Sequence, residues 1–252
     1  MFGSSLSGIH YGARNSKDRV TGNTINTMNS TNTINTLTRE ELVMEVHDVV
    51  KNITWLGHDG FLIKGDGKAI VIDPFQIKEC EPADIVLVTH EHYDHCSPED
   101  INKIQKGSTV IITEANSAKK LSGDVRVVRP GDRLTVSGIP IEAVPAYNTN
   151  KNFHPEQNGW LGFIVTVDGV RIYHAGDTDL IPEMDSFNAD IALLPVSGTY
   201  VMTAEEAVEA AKMIKPKVAI PMHYDAIVGS VDDAQRFCDA VAGTCEAVLL
   251  SS

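Results

Sequence analysis

Three histidines and an aspartate crowd into six positions, His90-Glu91-His92-Tyr93-Asp94-His95. Imidazole nitrogens and carboxylate oxygens are the ligands that hold zinc and similar divalent ions. The spacing gives these side chains two targets. His90 and His92 are two residues apart, so an extended segment points both to one side. Asp94 and His95 follow on a turn and address a neighbouring position. One metal would use the first pair and a second metal the later pair. The competing explanation is a polar surface loop that happens to be rich in histidine. That explanation has to place three of the nine histidines in one short window, with a suitably spaced acid, by accident. Paired divalent ions lower the pKa of bound water, so a nucleophile exists at neutral pH, and one ion can polarise a carbonyl or phosphoryl oxygen. The chemistry implied is metal-assisted hydrolysis of an ester, lactone, amide or phosphoester, with Asp94 orienting the attacking water. His58, between a strand and a Gly turn, can line the same pocket or simply pack. Tyr224 and His58 are the candidates to steady a developing oxyanion.

The elements around the cluster are readable from periodicity. A buried apolar strand, Ile85 to Val88, leads directly into His90. Ser97-Pro98-Glu99-Asp100 opens a helix, with Ser97 as cap, Pro98 in the first turn and two acids at the positive end of the dipole. Ile53 to Leu56 and Gly60 to Lys64 read as a hairpin, followed by a strand over Ala69 to Ile72. Further strands are expected at Val110 to Ile112, Val125 to Val128, Arg133 to Val136 and Ile139 to Val144, with a short helix over Glu114 to Leu121. Asp168-Gly169 joins the strands Gly162 to Val167 and Val170 to His174 as a hairpin. Ile191 to Pro195 and Lys217 to Pro221 are strands. Between them Thr203-Ala204-Glu205-Glu206 is a capping box, and Pro216 stops its helix. A helix over Val231 to Ala242 precedes a strand over Ala247 to Leu250. Strands in both halves with helices between them predict an α/β fold of two packed mixed sheets flanked by helices.

Residues 1–37 differ in kind. The Thr/Asn tract from Thr21 to Thr36 has too few apolar side chains to offset the entropy of ordering, so a disordered tail is expected there, and a domain over 38–252. Thr38 can cap a short helix carrying Leu42, Val46 and Val49 on one face.

The cluster His-Glu-His-Tyr-Asp-His resembles the HxHxDH signature of the metallo-β-lactamase superfamily, and other pieces match in order over roughly residues 52–250. Asp73, in Val71-Ile72-Asp73-Pro74, resembles the strand-end acid that orients the metal-binding loop. Asp177, in His174-Ala175-Gly176-Asp177-Thr178, resembles the acid that bridges both metals. His223, in Ile220-Pro221-Met222-His223-Tyr224, resembles the final ligand of the second metal. Trp55 to Gly60 and His174 to Thr178 are most similar to the small ascorbate-6-phosphate-lactonase-like hydrolases. The resemblance implies a four-layer αβ/βα sandwich and two divalent ions, zinc first, with Mn2+ or Fe2+ as alternatives. It also implies a third histidine on the first metal, after the strand ending Val144-Pro145-Ala146. Tyr147-Asn148 stands there instead. His154, in Phe153-His154-Pro155, is the favoured replacement, with Asn148, a weaker first site or a single-metal enzyme as the alternatives. His174 reads as a support, and Cys96 as a small structural residue beside a helix cap.

Composition narrows the class. The chain has 252 residues, 42% hydrophobic, with a formal net charge of −13. An acidic surface repels phosphate backbones and anionic lipid, which disfavours nucleic acid and membrane partners and points to a small-molecule substrate. No apolar run is long enough to span a bilayer, and the N-terminus does not resemble a secretory signal, so a cytoplasmic location is expected. Cys80, Cys96, Cys238 and Cys245 have no framework spacing and read as free thiols. A nuclease of the same superfamily, an iron redox enzyme and a catalytically weak metal-binding regulator are the rival functions.

Overall fold

Neighbouring residues of the strand Lys68–Ile72 belong to different cores. Ile70 and Ile72 join one buried apolar cluster, while Ala69 and Val71 join another. The next strand, Ala83–Val88, divides in the same way, with Ile85 and Leu87 on one side and Val86 and Val88 on the other. Side chains alternate across a strand, so this sheet is covered on both faces, and that is why its strands read as continuous apolar runs.

The computed structural model describes residues 45–251 in full, with the backbone of His10–Tyr11, Ile25–Met28, Ile34–Leu37 and the helix Arg39–Val50. The first sheet runs Ile53–Gly57, Gly60–Gly65, Lys68–Ile72, Ala83–Val88, Gln105–Thr113, Asp124–Val127. It begins as antiparallel hairpins and turns parallel from the third strand onward. The second sheet runs Arg133–Val136, Ile139–Pro145, Leu161–Val167, Val170–His174, Ile191–Pro195, Val218–Met222, Glu246–Leu249, with His10–Tyr11 at the far edge. It too passes from antiparallel to parallel, at Val170–His174. Two mixed sheets thus face each other across the larger core. The helix Pro98–Ile104 covers the outer side of the first sheet through Ile101 and Ile104. The helices Ala204–Ile214 and Val231–Val241 pack on each other and on the strands of the second. This is the expected α/β sandwich flanked by helices.

The caps form as the sequence suggests. Ser97 accepts from Asp100 N, and Thr203 and Glu206 close a capping box. Two expectations change in extent. The helix expected over Glu114 to Leu121 is only Ala115–Ala118, because Glu114 is its cap and spends its carboxylate on Asn116 N and Ser117 N. The strand expected at Val110 to Ile112 runs from Gln105 to Thr113, paired along Ala83–Val88. The expected disordered tail over 1–37 lies for most of its length outside the described residues, as does the proposed cap Thr38. The four cysteines are free thiols. No helix among the described residues is long and apolar enough to cross a membrane.

Parallel strands leave their carboxyl ends on one side, and in open α/β sheets ligands bind there. The chemistry-bearing residues follow this rule. Asp73 follows Lys68–Ile72, His90 to His95 follow Ala83–Val88, Asp177 follows Val170–His174, and His223 follows Val218–Met222.

Candidate metal centre

Asp73 sits at the base of the centre. Its carboxylate accepts from Thr89 N at 2.8 Å and Thr89 Oγ1 at 2.5 Å, and His95 Nδ1 donates to it at 2.9 Å. One buried acid therefore fixes both the start and the end of the histidine loop. Asp73 and His223 adopt φ of 42° and 60°, in the left-handed region, so tight turns aim these side chains inward. Gly176 has φ 61°, and a Cβ there would lie 2.6 Å from Leu161 O. Only glycine lets the chain turn at that point to present Asp177.

His90, His92 and His154 converge, with ligand atoms all within 4.8 Å of one another. His90 Nε2 and His92 Nδ1 are 3.0 Å apart. The loop after Ile139–Pro145 folds back, as the sequence suggests, and carries His154 in. Asn148 is what turns it. Asn148 Oδ1 accepts from His154 N at 2.9 Å and faces His154 Nδ1 at 3.2 Å, while its Nδ2 donates to Tyr200 O at 2.9 Å. The amide is thus occupied in orienting the imidazole.

His95, Asp177 and His223 form the other half. His95 Nε2 lies 3.4 Å from Asp177 Oδ1. His154 Nε2 and His223 Nε2 lie 3.0 and 3.3 Å from Asp177 Oδ2. The structure therefore brings Asp177 between the two histidine groups.

Hydrogen bonds select the tautomers. His95 Nδ1 donates to Asp73, and His154 Nδ1 faces two acceptors, Asn148 Oδ1 and Tyr200 O. His90 Nδ1 meets Thr89 Oγ1 at 3.0 Å, whose own proton goes to Asp73. His223 Nδ1 meets Ser197 Oγ at 2.9 Å. Each ring thereby has its Nδ1 engaged from outside and its Nε2 aimed inward, the usual way in which an outer hydrogen bond prepares a histidine for a metal.

The inward atoms are unmet. His95 Nε2, His154 Nε2, His223 Nε2 and Asp177 Oδ1 are buried without a hydrogen-bond partner, although they stand close together. Buried polar groups left without partners are costly, and a shared cation satisfies all four. The donor set of imidazoles and carboxylates fits such an ion. The charges are mutually tuned. Burial opposes ionisation of Asp177, yet His223 and His95 hold its carboxyl well below the usual range. Burial likewise opposes a charged His223, but Asp177 and Asp59 raise its pKa to about 9.

Asp94 Oδ2 lies 3.3 Å from His58 Nε2 and 3.8 Å from His95 Nε2. His58 itself groups with His95 and His223 within 4.8 Å, so it joins the second half of the cluster. Tyr224 directly follows His223. Its ring stacks on Trp55 at 4.7 Å, and the charged neighbours that raise its pKa, after burial itself, are Cys238 and Asp225. His174 donates from Nε2 to Asp59 O at 2.9 Å and accepts from Gly176 N, bracing two turns. Cys96 is buried, which pushes its thiol up to about 11, in keeping with a structural residue.

Several residues escaped the sequence reading. Thr89 and Ser197 set tautomers and carry no motif. Trp160 lies 4.8, 4.7 and 5.3 Å from the rings of His90, His92 and His154 and walls that side. Asp59 is fully buried beneath the second group. Only its place in a Gly-turn next to His58 could have signalled it.

The model of the β-lactamase superfamily domain matches residues 52–223, which hold Asp73, the histidine loop, His154, Asp177 and His223. The chain belongs to the metallo-β-lactamase superfamily. Within the superfamily it is 37% identical over 209 residues to a metal-dependent hydrolase of Thermoplasma acidophilum, covering 76% of this chain and 91% of that one. It is 34% identical over 215 residues to a metal-dependent hydrolase of Thermococcus kodakarensis, covering 79% and 95%. Among solved structures, a Parabacteroides distasonis protein described as a metal-dependent hydrolase superposes with a TM-score of 0.71 at 34% identity, over 91% of this chain and 98% of that one. The metallo hydrolase Igni18 of Ignicoccus hospitalis superposes with a TM-score of 0.64 at 27% identity, over 77% and 92%. This metallo-β-lactamase-fold chain is a metal-dependent hydrolase.

Proposed function

We propose that the chain hydrolyses a small molecule with two divalent ions, zinc first among them, bound in this cluster. His90, His92 and His154 hold the first ion, Asp94, His95 and His223 the second, and Asp177 lies between. The observation that carries the proposal is the set of four buried, unpartnered ligand atoms, His95 Nε2, His154 Nε2, His223 Nε2 and Asp177 Oδ1, aimed at shared space. Bound divalent ions supply an acidified water and a Lewis acid for a carbonyl or phosphoryl oxygen. The chain supplies the rest. Asp73 keeps the loop in register, and Asp94, steadied by His58, is the carboxylate placed to orient a water and hold its proton.

The rim favours a substrate with an apolar part. Tyr93 and Phe153, beside ligand residues on opposite loops, are 67% and 51% exposed. Phe75 meets Tyr93 edge-on, and Tyr200 meets Phe153 edge-on. Exposed aromatic rings beside a reactive centre, each backed by a half-buried one, are a binding surface for carbon skeletons. With the lactonase-like resemblance of Trp55 to Gly60, lactones and esters are the first class to test, in a cytoplasmic setting.

The test is a panel of lactones, esters, amides and phosphoesters assayed with the metal-free, Zn2+-, Mn2+- and Fe2+-loaded protein. Expected is turnover that a chelator abolishes and a divalent ion restores. Full metal loading without turnover favours a binding protein. Iron with oxygen consumption favours a redox enzyme.

A further inference from the structure

Asp59 is the least explained acidic side chain among the described residues. It follows His58 in the turn between Ile53–Gly57 and Gly60–Gly65, where His58 has φ 50°. The turn sends the Asp59 side chain inward, and its exposure is 0%. Neither Oδ1 nor Oδ2 has a hydrogen-bond partner. A turn aspartate normally faces water or accepts from nearby backbone N–H groups. This one does neither.

Its surroundings say what is missing. A carboxylate oxygen of Asp59 lies with Asp177 and His223 in one group of ligand atoms within 4.8 Å of each other. Another group joins it to Asp73 and His95, with Asp59 Oδ2 3.8 Å from His95 Nδ1. That nitrogen already donates to Asp73 at 2.9 Å, so it is not available to Asp59. Asp177 beside it is another acid. A buried carboxyl next to other acids, with no donor of its own, is neutralised either by a proton, which burial favours by pushing Asp59 well above the usual carboxyl range while no cation is bound, or by a cation. The bracing bond from His174 Nε2 to Asp59 O holds its backbone at this depth.

We infer that Asp59 is a further protein ligand of the second metal, acting with Asp177, His95 and His223, a role suggested by its burial and not by any sequence motif. The assignment rests on the two-metal proposal above. It gives Asp94 more freedom. Asp94, whose oxygen is held by His58, can serve the water while Asp59 supplies fixed negative charge from below.

The experiment is competitive Zn2+ titration of metal-free parent, Asp59→Asn and Asp59→Ser, with Co2+ absorption of the second equivalent as a direct report on its ligands. Circular dichroism of the metal-free proteins checks the fold. Asp59→Asn keeps the shape and removes the charge, and Asp59→Ser removes the carboxyl altogether. Expected are a first equivalent unchanged within about twofold, a second weakened at least about tenfold, and an altered Co2+ band. The metal-free variants should melt no lower than the parent, since they lose a buried acid that has no hydrogen-bond partner. A second equivalent as tight as the parent's, with an unchanged band in both variants, overturns the assignment and leaves the two-metal proposal standing. A parent that binds fewer than two equivalents brings down both.

Discussion

At the scale of single residues, the decisive feature is how each imidazole is prepared. His154 is prepared by Asn148 and the Tyr200 carbonyl, which face its Nδ1 and leave Nε2 aimed at Asp177. His154→Ala removes the third nitrogen of the first group, and we expect the first metal equivalent to weaken by more than about a hundredfold. Asn148→Ala leaves the nitrogen but loosens its aim, which typically weakens affinity about 10–100-fold. Metal titration of both variants ranks them. An Asn148→Ala defect larger than that of His154→Ala would make the amide the better ligand. The histidine loop was legible because its residues are adjacent in sequence and of rare types. His154 was legible only as the nearest imidazole to a position that resemblance required. Thr89, Ser197, Trp160 and Asp59 were not legible. Their roles arise from long-range packing, such as the Ser197 to His223 contact across 26 residues, and their side chains are ordinary in any loop. Adjacency of Tyr224 to His223 likewise does not reveal that its ring stacks on Trp55.

At the scale of elements, the helix Pro98–Ile104 holds the loop that follows Asp73. Asp100 accepts from Gln76 N at 2.9 Å, Ile77 N at 3.2 Å, Ser97 Oγ at 2.7 Å and Lys103 Nζ at 2.8 Å. Burial opposes its charge, but the bonds from Lys103, Ser97 and Gln76 outweigh burial and lower its pKa. With the folded pKa below the unfolded one, Asp100 stabilises the fold above the ordinary aspartate value of about 4. That contribution is lost as pH falls through the folded value. Asp100→Ala should cost about 2 kcal/mol near neutral pH, from the Gln76 and Ile77 backbone donors left open. In denaturant melts of the metal-free protein, the gap between parent and variant should hold from pH 7 to about 5 and narrow below about 4. A gap that widens with acid contradicts this sign. Caps and hairpins were readable at this scale because each is a local contract among a few residues. The extent of Gln105–Thr113 was not, because it is set by pairing with Ala83–Val88.

At the scale of the whole molecule, two half-parallel sheets put their strand ends on one side. The second sheet adds Asp177 and His223 to a loop fixed by the first. The ligand groups found among the described residues all lie beyond residue 57, and we propose that the working unit is the domain from residue 38 onward. Deleting residues 1–37 should leave metal content unchanged and shift Tm by no more than a few degrees, as for loss of about 1 kcal/mol or less. A large fall in Tm, read by scanning calorimetry, would assign the N-terminal segment a structural role. The order of strands within each sheet was not legible, since it depends on pairings between distant segments. That the sheets would be mixed was legible, from hairpin turns in one stretch and capped helices between strands in another.

The central claim is a two-metal centre built on Asp177. Counting tightly bound divalent ions per chain, after metal-free protein is reloaded with Zn2+ and desalted, tests it most directly. The account predicts two equivalents for the parent and one or fewer for Asp177→Ala, since two cations at close range repel once the acid between them is gone. One equivalent in the parent, or two in Asp177→Ala, would contradict it.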